Sequence, residues 1–175
     1  MQTHRRIIPA LVVLALLVVH ARAAITDFTF LNGFSGANEV PATSSPATYV
    51  LNTLRFDDTL GAFGTLNVNI SFSGLAGAAN NAHVHGFASA GANAGPLQTL
   101  SFTPATSGTI SGSWSPASAT QVDNLFAGLT YINLHSAAVG SGELRGQIVA
   151  VPEPSTCALA ALGTLALLIR QRRRP

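Results

Sequence analysis

Three histidines, His83, His85 and His135, are the residues of this sequence whose type and spacing point most directly to chemistry. In Ala82-His83-Val84-His85 the imidazoles alternate with apolar residues, so on a strand both project from the face opposite the core. In Tyr131-Ile132-Asn133-Leu134-His135 the apolar Ile132 and Leu134 take the core face and His135 takes the other. A His-x-His pair, joined by a third imidazole from a neighbouring strand, is a ligand set suited to copper or zinc. A second reading gives the rings a structural task, in which they hydrogen-bond loop carbonyls and tie the connections to the strands. With three ligands and no fourth in sight, the residues alone favour the second reading.

Other chemistry finds less support. The chain has no lysine, no phosphate-binding glycine motif and no Gly-x-Ser-x-Gly elbow. Glu143 and Arg145 are two residues apart and are expected to pair on the surface. Glu39, beside Pro41, reads as a turn or barrel-mouth residue without a second carboxylate to share acid and base roles. Trp114 reads as core or rim. A carbohydrate platform would need Trp114, Tyr131 or Tyr49 exposed for stacking.

The elements that must position these residues are short strands. Leu66, Val68, Ile70 and Phe72 alternate with polar residues and predict a strand, paired with Tyr49 to Phe56 across a turn at Asp57 to Gly61. Further strands are predicted at 28–31, 82–87, 97–102, 109–114, 131–135 and 144–149, with Gly and Pro between them. One helix is expected over 115–126, with Ser115 as cap and Pro116 in its first turn. The segment 91–96 reads as a plain loop. The fold class is therefore all-β, a Greek-key sandwich or barrel with one short helix, flanked by two apolar terminal helices.

The ends explain the composition. Arg5 and Arg6 precede an apolar run over 7–19 that would extend roughly 20 Å as a helix, short of a bilayer core. Ala21 and Ala23 follow as the small residues of a cleavage site, so 1–23 reads as a signal peptide. Residues 24–150 then form one domain, and 151–175 form a tail of Pro152-Glu153-Pro154, a short apolar stretch and Arg172, Arg173 and Arg174. Only Arg55 and Arg145 lie in 24–150, against six carboxylates, which gives that stretch a net charge of −4. The basic balance of the whole chain thus belongs to its ends and is no argument for nucleic-acid binding. The single cysteine, Cys157, lies in the tail, so the domain must be held by packing rather than by a disulfide.

The tail resembles the PEP-CTERM sorting signal in the order of its three parts. That resemblance implies export in a Gram-negative cell, transient anchoring in the inner membrane through the tail, and processing by an exosortase-type enzyme. It also implies an exopolysaccharide-producing envelope, whose components are candidate partners.

The middle resembles the CHRD domain, named after chordin, through Gly36-Ala37-Asn38-Glu39-Val40-Pro41, Ala82-His83-Val84-His85-Gly86, Tyr131 to His135 and Gly142 to Ile148. The resemblance implies an immunoglobulin-like or superoxide-dismutase-like β-barrel outside the cell and brings no established activity. Against copper-zinc superoxide dismutases, His83, His85 and His135 fall where copper ligands fall, and Arg145 where an anion-guiding arginine falls. Residues 86–96 lack the bridging histidine and the zinc ligands of those enzymes. The sequence therefore reads as an exported, non-enzymatic envelope or matrix protein with no established cofactor. The alternative is a mononuclear copper- or zinc-binding protein.

Overall fold

The alternation of apolar and polar residues becomes nine antiparallel strands in the computed structural model, which describes residues 24–152. They are β1 (Ile25–Ser35), β2 (Thr48–Asp57), β3 (Thr65–Ser73), β4 (Ala79–Gly86), β5 (Pro96–Thr99), β6 (Ser101–Phe102), β7 (Ser107–Trp114), β8 (Thr130–Ser136) and β9 (Leu144–Ala150). The signal residues Ala21 and Ala23, and Glu153, Pro154, Arg172, Arg173 and Arg174 of the tail, lie outside the described residues, as do both apolar terminal segments. Pro152 is described and exposed. Among the described residues no helix is long and apolar enough to cross a membrane.

The strands follow the order β5-β4-β8-β9-β1-β2-β3-β7-β6. One end of β1 joins the two halves, because Ile25 to Asp27 pair with β2 while Phe28 onward pairs with β9. At the opposite side the chain passes from β5 to β6 through the single residue Leu100, whose N–H donates to the Ala82 carbonyl of β4 at 2.8 Å. The sheet is thereby nearly closed. The expected single strand over 97–102 is instead two short ones, because Leu100 turns its backbone toward β4 and its side chain into the core.

Inside lie Leu66, Ile70, Ile110, Ile132, Leu134 and Ile148, all fully buried, with Phe28, Phe34 and Phe56 closing the ends. Trp114 is in this core as well. The helix, α1 (Ala119–Phe126), buries Val122 and Leu125. It starts later than expected, since Ser118 and not Ser115 accepts the Gln121 N–H, while Gln121 accepts back from the Ala117 N–H at 2.8 Å. This is close to a reciprocal capping box.

The halves differ on their outer faces. Outward residues of β3 and β7, such as Asn67, Asn69, Ser71 and Ser111, meet solvent as the alternation predicts. In β8 and β9 nearly every residue is buried on both faces. The outer face of β4, β8 and β9 is covered by the Gly36–Asn38 turn with its following residues and by residues 87–95. Between cover and strands lies a layer of polar side chains.

Candidate metal centre

The pairing of β4 with β8 puts Asn81 opposite His135 and His83 opposite Asn133, so the third histidine arrives on the strand adjacent to the His-x-His pair. One ring nitrogen from each of His83, His85 and His135 lies within 4.8 Å of the others. Nitrogens sharing one zinc at about 2.0 Å stand roughly 3 to 4 Å apart, so small ring rotations close the set. No carboxylate among the described residues joins this group.

The other nitrogens settle the tautomers. His85 Nδ1 lies 2.9 Å from the Ala94 carbonyl, and His135 Nδ1 lies 2.9 Å from the Gly140 carbonyl. A carbonyl only accepts, so each Nδ1 carries a proton, and in the neutral ring Nε2 has the lone pair. The nitrogens left buried without a partner are His83 Nδ1, His85 Nε2 and His135 Nε2. The two readings of the histidines thus meet in one structure, since two rings tie loops with one nitrogen and leave the other free. Hydrogen bonds of this kind orient metal ligands.

The two rings of β4 are biased toward the neutral form. Burial lowers the pKa of His83 below its usual value, helped by His85 and His135. His85 is lowered chiefly by burial and further by the His135 and Arg145 charges, against the opposing bond to Ala94. Neutral imidazole is the ligand form.

Tyr131, opposite His85 on β8, lies nearly parallel to it, with centroids 4.8 Å apart and planes at 9°. On the β9 side, the Arg145 guanidinium carbon sits 3.6 Å from the Tyr131 centroid. Arg145 is only 1 % exposed and donates to Asn93 Oδ1 at 3.0 Å, the Ala92 carbonyl at 2.8 Å and Gln147 Oε1 at 3.2 Å. It is a fixed internal charge. Tyr131 exchanges hydrogen bonds with both the N–H and the carbonyl of Ala94 at 3.0 Å, and Gln147 donates to Ala88 and Gly128 carbonyls. The segment read as a plain loop, 91–96, is therefore a cover latched by His85, Tyr131 and Arg145, while Gln147 holds Ala88 just before it.

The expected surface pair of Glu143 with Arg145 does not form: both are buried, and each is bonded to other groups. Glu143 Oε1 accepts from Ser45 Oγ at 2.6 Å and from the Ala76 N–H at 2.8 Å. Burial would raise this carboxyl; hydrogen bonds from Ser136, Ser45 and the Ala76 and Gly77 amides outweigh it and hold the pKa below the usual value. Glu39 is likewise inside, accepting from Asn133 Nδ2, and lines a cleft of about 170 Å³ with Asn38, Val40, Arg145 and Gln147. Burial pushes its pKa up to about 7, against the Arg145 charge and the Asn133 bond.

Tyr131, Asn133, Gln147 and Glu39 belong to this layer; the sequence offers Glu39 and Tyr131 for other roles and gives Asn133 and Gln147 none. The signal for the first three was strand parity, which places Tyr131 and Asn133 with His135, and Gln147 with Arg145. As for a sugar platform, Trp114 and Tyr131 are buried, and Tyr49 packs edge-on against Phe30 and Phe34.

Comparison with protein families matches the CHRD domain over residues 31–148, from β1 to the end of the site strands. The chain belongs to the CHRD domain family. Residues 150–174 match the PEP-CTERM protein-sorting motif, which marks this CHRD protein as exported, of the cell envelope, and handled by exosortase-type sorting machinery. No curated protein and no solved structure matches the chain.

Proposed function

We propose that this CHRD protein is a non-enzymatic envelope component whose domain holds one copper or zinc ion on His83 Nδ1, His85 Nε2 and His135 Nε2. The observation that carries the reading is the convergence of three buried, unpartnered ring nitrogens, two of them on rings whose other nitrogen is fixed by a carbonyl. Leaving such groups dry and unpaired costs stability, and a cation removes that cost. The bound ion would supply a cross-link between β4 and β8. The nearly closed antiparallel sheet, with histidines on neighbouring strands, supports a dismutase-like barrel carrying a mononuclear site. Arg145 enters this reading as a buried charge beside the site rather than a guide for free anions. The sorting tail, with Pro152, Glu153, Pro154 and the terminal arginines, would anchor the chain transiently before processing and deliver it to the envelope, where exopolysaccharide is a candidate neighbour.

A second reading rests on the bonds from His85 to Ala94 and from His135 to Gly140, which make the histidines loop ties alone. The test is elemental analysis and thermal melting of protein recovered after export of the full chain, beside the triple variant His83→Ala, His85→Ala, His135→Ala. On the metal reading, wild type gains about 2.7 kcal/mol at a free ion concentration one hundredfold above Kd, and the variant gains nothing. A midpoint indifferent to copper and zinc, with the variant lowered equally with and without metal, would establish the loop-tie reading instead.

A further inference from the structure

A site made only of neutral imidazoles adds no negative charge to offset the ion it holds. Here the ligand set contains no carboxylate, and the nearest fixed charge in the stack behind His85 is a cation. Arg145 cannot swing away, because Ala92, Asn93 and Gln147 hold its guanidinium and Tyr131 faces its plane. It is buried, so solvent screens it poorly. The facing carboxylate, Glu39, has both oxygens on Asn133 Nδ2 and not on the imidazoles.

Resting on the metal reading above, we propose that this site is selective for monovalent copper, and that Arg145 is the residue that sets the selectivity by opposing a second positive charge.

Two physical arguments lead there. Coulomb's law at an effective dielectric near 20 makes a unit charge on the order of 10 Å away worth roughly a factor of ten in binding for each unit of charge on the ion. A divalent ion therefore pays that factor twice and a monovalent ion once. Coordination number acts in the same direction. Zinc held by three protein ligands must take a fourth from water or another small molecule, whereas the closed-shell monovalent copper ion is satisfied by three and needs none. The three nitrogens come from two adjacent strands, and among the described residues no further His, Cys, Asp or Glu joins them.

The full chain, exported and purified from the envelope fraction, is titrated in two ways. Anaerobic competition with a chromophoric Cu(I) chelator under ascorbate gives one affinity, and competition with a chromophoric zinc chelator gives the other. Wild type is expected to bind one Cu(I) at least a hundredfold more tightly than Zn(II), with X-ray absorption showing three nitrogen ligands. Asn93→Asp puts a carboxylate on the Arg145 fork from an exposed loop position, giving up the Asn93 Nδ2 bond to the Val40 carbonyl but no residue of the strands, and should tighten Zn(II) roughly tenfold more than it tightens Cu(I). Arg145→Gln should do the same where it folds, and Arg145→Lys should behave as wild type. Glu39→Gln should shift the ratio the opposite way. Zn(II) affinity equal to or above that for Cu(I), or a ratio that Asn93→Asp leaves unchanged, overturns the charge selection while the metal site stands. Failure of every ion to bind overturns the metal reading itself and this inference with it.

Discussion

Asn133 on β8 offers its Nδ2 to both carboxylate oxygens of Glu39, at 2.9 and 3.0 Å, joining residues that are 94 apart in the chain. This contact fastens the turn after β1 over the outer face of the site strands. The burial of Glu39 beneath that turn, against which the Asn133 bond acts, sets a sign in the pH dependence. The folded Glu39 pKa of about 7 stands above the usual 4.5, so across that interval the folded state keeps a proton that the unfolded chain has released. Stability from this group is complete below 4.5 and is lost as pH rises through about 7.

Glu39→Gln should therefore match wild type in urea denaturation near pH 4 and exceed it at pH 8 by on the order of 2 kcal/mol, a figure reduced from the full shift because the group borders a cleft. Parallel pH profiles for the two proteins would show that Glu39 does not carry the effect.

The histidines act with the opposite sign. The folded pKa values of His83 and His85 are depressed, so the unfolded chain takes up protons first as pH falls below about 6.5. Metal-free protein should lose stability from there downward, and the triple histidine variant should show a flatter profile over the same range. The check is the difference between the two urea midpoints at pH 7.5 and pH 5, measured in the presence of a chelator.

Tyr131→Phe keeps the ring against His85 and Arg145 but removes the hydroxyl shared with Ala94. It should cost about 1 kcal/mol. Tyr131→Leu also loses the stack and the cation contact, and should cost at least about 1 kcal/mol more. Hydrogen exchange should quicken at the Ala94 amide in both. An unchanged Ala94 rate in the phenylalanine variant would contradict the latch.

Two glycines are required for different reasons. A Cβ on Gly146 would stand 2.5 Å from the Phe30 ring, so Gly146→Ala should cost about 1 to 3 kcal/mol through overpacking alone. Gly142 has φ of +128°, and its Cβ would stand 2.5 Å from Asn133 Nδ2 and 2.8 Å from Glu39 Oε1. Gly142→Ala should combine backbone strain with loss of the Asn133 bond to Glu39, which holds that pKa down, and so raise the Glu39 pKa further, whereas Gly146→Ala should leave it unchanged. Carbonyl NMR titration of Glu39 separates the two.

Strand parity made much of this legible. The alternation in Ala82 to His85 and in Tyr131 to His135 put all three imidazoles on one side, and the structure joins them there. What parity could not give was the cover. On an isolated strand Tyr131, Asn133, Arg145 and Gln147 look like solvent residues, and only the chain folding back through 36–40 and 87–95 buries them. Glu143 shows the same limit from the other side, since its partners Ser45 and Ala76 lie far along the chain. The helix start turns on a local competition between Ser115 and Ser118, which the glutamine three residues after Ser118 decides.

Leu100 has a wider effect than its place in the core suggests. The two outermost strands of the sheet, β5 and β6, are consecutive pieces of chain on either side of it, and its amide already belongs to β4. A sheet that ends in the same few residues at which it begins offers little unpaired backbone to a second copy. Proteins concentrated at a cell surface meet their own kind constantly, and exposed strand edges are where such encounters become aggregates. The one-residue hinge thus protects the domain from edge-to-edge association, and it does so with backbone alone, leaving the outer face of β3 and β7 free to remain uncharged.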